Sequence, residues 1–137
     1  MTQDERIAAV SRGYDALNRG DIAAVLELVD PKFAWSDPPD VVGARGGIGR
    51  TDFAAYLRGL AEAWDEFRCE PEEFRIAGDA LIVIVREGGR GRISGAMVEH
   101  RLVHVWRFRR GRAVSLEAYV EEPWAGSWQL AAGRAAA

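Results

Sequence analysis

Leu102-Val103-His104-Val105-Trp106-Arg107-Phe108-Arg109 alternates two kinds of side chain. Successive residues of an extended strand point to opposite sides, so Leu102, His104, Trp106 and Phe108 share one face, and Arg101, Val103, Val105, Arg107 and Arg109 share the other. Upstream, Leu81-Ile82-Val83-Ile84-Val85 is apolar at every position, which predicts a strand covered on both faces. Four β-rich runs can be drawn: Phe67 to Ile76, Ala80 to Glu87, Ala96 to Arg109 and Ala113 to Val120. Gly78-Asp79, Gly88-Gly89-Arg90-Gly91 and Arg110-Gly111 separate them and read as hairpin turns.

The first half of the chain has the other periodicity. Ile7, Val10, Tyr14 and Leu17 form a helical stripe that Gly20 stops, with acids in the opening turn. Asp21 is a good N-cap for a second helix carrying Ile22, Val25, Leu26 and Val29 inward, ended by Asp30-Pro31. Phe33 to Asp37 reads as a short strand, and the glycine-rich stretch to Gly49 as an irregular loop, since Gly43, Gly46, Gly47 and Gly49 lack the dinucleotide fingerprint and its strand context. A third helix is predicted from near Thr51, burying Phe53, Tyr56, Leu57, Leu60, Ala61 and Trp64. Pro123 can open a short last helix with Trp124 and Trp128 one turn apart, and residues 133–137 are expected to fray. Helices followed by consecutive hairpins describe one α+β domain over residues 1–137, a curved antiparallel sheet with three N-terminal helices on one face.

Two expectations follow from the sheet. The face of Leu102, His104, Trp106 and Phe108 turns toward the helices and can leave a concave site. The mixed Val/Arg face would be unusually apolar for a monomer surface, which predicts a homodimer formed sheet to sheet.

Composition narrows the partners. The formal net charge of -3 opposes phosphate backbones, so no nucleic acid is expected. Cys69 is the single cysteine, which excludes an internal disulfide or a multi-cysteine metal cluster and suits a reducing compartment. No apolar run approaches the roughly 18 residues of a membrane span, and the opening residues are polar, so a cytoplasmic location without membrane attachment is expected. His100 and His104 lie about 13 Å apart along one strand, beyond sharing one ion, and the carboxylates show no ligand spacing. No metal and no cofactor are therefore expected.

Tyr14-Asp15-Ala16-Leu17-Asn18-Arg19-Gly20-Asp21, Trp35-Ser36-Asp37-Pro38 and His104-Val105-Trp106-Arg107-Phe108-Arg109-Arg110-Gly111 together resemble the SnoaL-like polyketide cyclase and ketosteroid isomerase branch of the nuclear transport factor 2-like superfamily. The resemblance covers nearly the whole chain and implies a cone-shaped fold that hosts isomerases, cyclases, dehydratases, epoxide hydrolases and non-catalytic binding modules. Aligned without a gap on the ketosteroid isomerase pattern, Asp37 falls at the general-base aspartate, Gly13 at the tyrosine that donates to the oxyanion, and His104 at the protonated aspartic acid beside it. The loss of that tyrosine implies a departure from steroid isomerisation in its familiar form.

Each candidate has a plain alternative. Asp37 is a base or ligand acceptor at the cone mouth, or an Asp-Pro turn residue bonded to a nearby amide. His104 donates to or protonates a substrate oxygen, or is a satisfied core histidine. Among aromatics at core spacing, Tyr14, Trp35, Tyr56 and Trp106 are the candidates to contact a ligand. Arg86, Glu87, Glu99, Arg101 and Glu117 admit an arginine-based site like that of limonene epoxide hydrolases, though Arg101 lies on the face opposite His104. The expected partner is an apolar or carbonyl-bearing small molecule. As an enzyme the chain would carry out cofactor-free proton transfer, with Asp37 and His104 as its polar pair; the alternatives are a non-catalytic ligand-binding or dimerisation module and, with no sequence signature, a peptide-binding adaptor.

Overall fold

The computed structural model describes residues 1–39 and 44–120. The predicted helix from Pro123 with Trp124 and Trp128, and the tail at 133–137, lie outside the described residues. The element order is α1 (Gln3–Asn18), α2 (Ile22–Leu28), β1 (Val29–Ser36), β2 (Gly46–Ile48), α3 (Arg50–Ala63), β3 (Trp64–Ala77), β4 (Ala80–Gly91), β5 (Met97–Arg109) and β6 (Arg112–Val120).

Local chemistry sets the helix ends. Thr2 and Glu5 form a reciprocal capping box, each side chain accepting from the other residue's backbone N–H at 3.1 and 3.0 Å. Gly20, at φ 76°, ends the first helix, and the carboxylate of Asp21 accepts from the Ala24 amide at 3.1 Å to start the second. That helix is shorter than its apolar spacing predicted: Val29 opens β1 instead, so the strand begins ahead of Phe33. Pro31, which lacks an amide proton, is accommodated within that strand.

The strands form one six-stranded sheet in the order β2-β1-β6-β5-β4-β3. Every neighbouring pair is antiparallel except β1 and β6, which run parallel, so the sheet is mixed where the hairpins predicted a purely antiparallel one. The reason is topological: no hairpin joins β1 to β6, and α3 with the whole meander lies between them, so turn geometry does not dictate their relative direction.

Two turns are tighter or later than the sequence suggests. Arg110 and Gly111, at φ 53° and 78°, make the two-residue turn between β5 and β6. Gly88 to Gly91, by contrast, continue β4, and the chain reverses at Arg92–Ser94, where the Gly95 amide donates to the Gly91 carbonyl at 2.8 Å. Glycine is needed at 88 for close approach, because a Cβ there would run into the Val98 carbonyl oxygen of β5. Gly46–Ile48, expected as irregular loop, is a short strand on β1. Trp64, expected on the third helix, starts β3.

Curvature comes from irregularities in the ladder. β3 shifts register between Asp65 and Arg68 and again between Pro71 and Glu73, and β5 against β6 between Arg107 and Phe108. Such bulges bend and twist a sheet, and Pro71 is tolerated because β3 is an edge strand. The concave side packs on the helices through Val10, Phe33, Phe53, Leu81, Val83, Leu102 and Trp106, as alternation predicts.

The convex side departs from expectation in one respect. Ile82, Ile84, Val103 and Val105 are at most 1% exposed within the single chain, so the bare valine patch is not bare. Around it, Glu72 takes both Arg86 and Arg101, at 3.0 and 3.3 Å, so Arg101 is paired inside one chain. No helix among the described residues is long and apolar enough to cross a membrane.

Candidate functional site

Between the helices and the concave sheet lies a hollow to which Asp37, His104, Tyr14, Trp35, Tyr56 and Trp106 all contribute. Its deep part leaves about 70 Å³ for the centres of water-sized molecules, room for a few waters or one narrow group. A wider vestibule of about 500 Å³ adjoins it, sharing Asp37, Tyr56, Leu60, Glu87 and Leu102 with the deep part.

The polar centre of the deep part is a chain of three rings. Trp106 Nε1–H donates to the Tyr14 hydroxyl oxygen at 2.9 Å, and that hydroxyl lies 2.7 Å from Nδ1 of His104. Indole nitrogen is a donor only, so the Tyr14 oxygen accepts there and its own proton is free to point at His104. Nδ1 then accepts, which places the imidazole proton on Nε2. The opposite tautomer would leave the buried Tyr14 proton without an acceptor, at a cost of about 1–3 kcal/mol.

Burial reinforces this state. His104 is 7% exposed, and desolvation holds its pKa below the ordinary value despite the opposing pull of Glu87 and Asp37. Burial also pushes the Tyr14 hydroxyl well above its usual range, so it stays protonated. Among the described residues nothing partners Nε2 of His104. The site therefore offers a neutral N–H donor in an apolar setting.

Gly13, which ungapped alignment set at the oxyanion tyrosine, lines the hollow beside Tyr14. The glycine itself serves packing: a Cβ there would meet Leu28 Cδ2 at 2.9 Å, so its absence lets α2 press against α1. Tyr14, one position on, carries the hydroxyl to His104.

Asp37 lies at the boundary of hollow and vestibule. Its Oδ1 accepts from the Tyr56 hydroxyl at 2.6 Å and its Oδ2 from the Arg45 amide at 3.1 Å, while its own amide donates to the Arg45 carbonyl at 2.7 Å. Asp37 is thus paired with Arg45 and also lines the hollow. Tyr56 stacks on Trp35 with ring centres 4.3 Å apart, and burial followed by the Asp37 bond raises its pKa. Gly47 sits against the indole of Trp35, where a Cβ would approach to 3.0 Å. The glycines of β2 therefore seat an aromatic wall. Nε1 of Trp35 has no partner among the described residues.

Two lining residues were not expected beside His104: Cys69 was read only as the single cysteine, and Glu87 only as part of an arginine-based site. Cys69 and Glu87 are directly opposite on β3 and β4, and Glu87 is opposite His100 on β5. Glu87 Oε2 lies 3.6 Å from His100 Nε2, and this contact raises the His100 pKa. Burial, then Glu87, raises that of the Cys69 thiol. The signal available in the chain was parity: Glu87 shares the inward face with Leu81, Val83 and Val85. Arg86, one residue earlier, faces Glu72 and Glu99 on the other side, so the described arginines at 86 and 101 do not line the hollow.

The profile of the SnoaL-like domain matches residues 10–116 of the 137. The chain belongs to the SnoaL-like family. Its SnoaL-like fold is shared with an NTF2-like protein of unknown function from Burkholderia pseudomallei, 27% identical over 88% of this chain and 92% of that one, at a TM-score of 0.76. An NTF2-like protein from Burkholderia xenovorans is 25% identical over 98% of both chains, at a TM-score of 0.74. TerC, crystallised with polyporic acid, has the same fold at a TM-score of 0.73 and 22% identity, over 85% of this chain and 91% of its own. Comparison with curated proteins finds none that matches.

The two histidines of this SnoaL-like domain predict opposite pH effects on stability. His104 is held neutral, so as pH falls below about 6.5 the unfolded chain takes a proton that the folded chain refuses, and stability drops by up to about 1.4 kcal/mol per pH unit. His100 has a raised pKa, so its contribution is full at low pH and fades as pH rises through the folded value. Urea denaturation between pH 5 and 8 should show a flatter acid-side loss in His104→Gln and a steeper one in His100→Gln. Identical pH slopes in wild type and His104→Gln would contradict the assigned state of His104.

Proposed function

We propose that this SnoaL-like domain binds a mostly apolar, carbonyl-bearing small molecule and moves a proton on the carbon next to that carbonyl. The observation that carries the reading is the unpartnered Nε2 of a neutral, hydroxyl-locked His104 in the same hollow as Asp37. A developing enolate oxygen is best stabilised by preorganised donors in a water-poor site, and His104 Nε2–H meets that description. Asp37 acts as the base, its geometry held by Tyr56 and the Arg45 amide. Trp35 and Tyr56 form an aromatic wall beside the base, and Tyr14 and Trp106 fix the imidazole. Isomerisation, aldol-type cyclisation and dehydration all use this step and need no cofactor. A cytoplasmic setting suits such chemistry.

A second reading has its own observation. Both oxygens of Asp37 already accept hydrogen bonds, as expected of an orienting acceptor in a binding module without turnover. Deuterium exchange next to the carbonyl separates the two. In D2O, NMR on a panel of cyclic ketones should show enzyme-dependent exchange that falls on the order of a hundredfold or more in Asp37→Ala. Saturable ketone binding with no exchange would select the binding module, and exchange untouched by both Asp37→Ala and His104→Ala would remove both residues from the mechanism.

Assembly as a homodimer through the convex sheet face also belongs to the proposal. Its support is the cluster of Glu72, Arg86 and Arg101 on the convex face, since the apolar residues there are already covered within one chain. Sedimentation at micromolar concentration should show a species twice the 15.1 kDa chain, and a purely monomeric boundary would eliminate the dimer.

A further inference from the structure

The proton-transfer reading leaves Cys69 and Glu87 without a task, although both line the hollow beside His104. They are contributed by β3 and β4, and His104 by β5, so three neighbouring strands meet at one point. One donor atom from each residue lies within 4.8 Å of the other two. In a tetrahedral site with bonds of about 2.0–2.3 Å, donor atoms stand roughly 3.3–3.8 Å apart. Rotation of the Glu87 and Cys69 side chains by a fraction of their reach closes that difference.

The geometry points to Cys69, Glu87 and His104 as a site for a zinc-class divalent cation, with the remaining coordination position facing the hollow. Sulfur, nitrogen and oxygen donors together favour zinc or cobalt over magnesium or calcium, which take oxygen. A thiolate and a carboxylate carry two negative charges between them, which neutralise a divalent ion inside a low-dielectric cavity. Three protein ligands beside an open cavity are also the arrangement of an accessible zinc centre, as distinct from a closed structural one.

Outer contacts hold the donors. Asn18 exchanges two hydrogen bonds with the backbone of Cys69, at 2.9 and 2.8 Å, which pins this edge strand to the end of α1. Tyr14 stands on Nδ1 of His104, which leaves Nε2 as the nitrogen available to an ion, and His100 stands beside Glu87. Ligating histidines characteristically donate from their second nitrogen to an acceptor, which here requires the Tyr14–Nδ1 hydrogen bond to reverse. On binding, the thiol loses its proton and the imidazole proton moves from Nε2 to Nδ1. The Tyr14 oxygen, which already accepts from Trp106, accepts from Nδ1–H with its second lone pair, and its own proton gives up Nδ1 as acceptor, a cost that the metal bonds must offset. The inference does not rest on the proton-transfer reading: the cation and a substrate carbonyl compete for the same nitrogen, so an occupied site inhibits that chemistry.

Cobalt(II) titration of the untagged full chain tests it, because thiolate-to-cobalt charge transfer absorbs in the near ultraviolet and needs no turnover. The expected result is a saturable 1:1 band that vanishes in Cys69→Ser, with cobalt affinity reduced on the order of tenfold or more in Glu87→Gln. Zinc should displace the cobalt, with release of protons on binding. Circular dichroism checks the fold of each variant, and Glu87→Gln, at a partly exposed position, serves if Cys69→Ser does not fold. Absence of the band at millimolar cobalt, or an affinity unchanged in folded Glu87→Gln, would overturn the site. Neither outcome bears on ketone exchange by the metal-free protein, so failure of this inference and failure of the proposed function are distinguishable.

Discussion

The structure turns on one hydroxyl. Tyr14 accepts from Trp106 and stands against His104, and this joins α1 to β5 at the centre of an otherwise apolar interior. Each of these three groups would be costly to bury alone, and together they account for one another's protons. The consequence is chemical as well as structural: with Nδ1 occupied, whatever the imidazole does for a ligand it does through Nε2.

A hollow exists around that point because the layers are kept from closing completely. Bulges in β3 and between β5 and β6 curve the sheet so that its concave side faces the helices, while Gly13 leaves room for Leu28 of α2 against α1. Asp37 reaches the same space from the end of β1, where the turn with Arg45 and the Tyr56 hydroxyl hold its carboxylate. The division into a narrow apolar interior and a broad vestibule suits a ligand whose carbonyl end enters while its bulk stays outside.

Much of this was legible in the chain because periodicity survives folding. Alternation along Leu102 to Phe108 put the right side chains on the concave face, and the helical stripe through Ile7, Val10, Tyr14 and Leu17 put the tyrosine opposite them. What could not be read depended on backbone detail and on distant pairing. Gly88 to Gly91 looked like a turn, yet ladder bonding on both sides kept them in β4. Cys69 and Glu87 bring donor atoms within 4.8 Å of one on His104 although Glu87 pairs with His100, four residues along the strand, and strand spacing alone does not foretell that.

The state of His104 is therefore the point on which the account stands, and the imidazole nitrogens report it directly. Long-range proton–nitrogen correlation spectra of the ¹⁵N-labelled protein distinguish the two neutral tautomers and the cation. The account predicts a neutral His104 with its proton on Nε2 at neutral pH, persisting below the ordinary histidine value of 6.5. A proton on Nδ1, or a cation forming near that ordinary value while the chain stays folded, would contradict it.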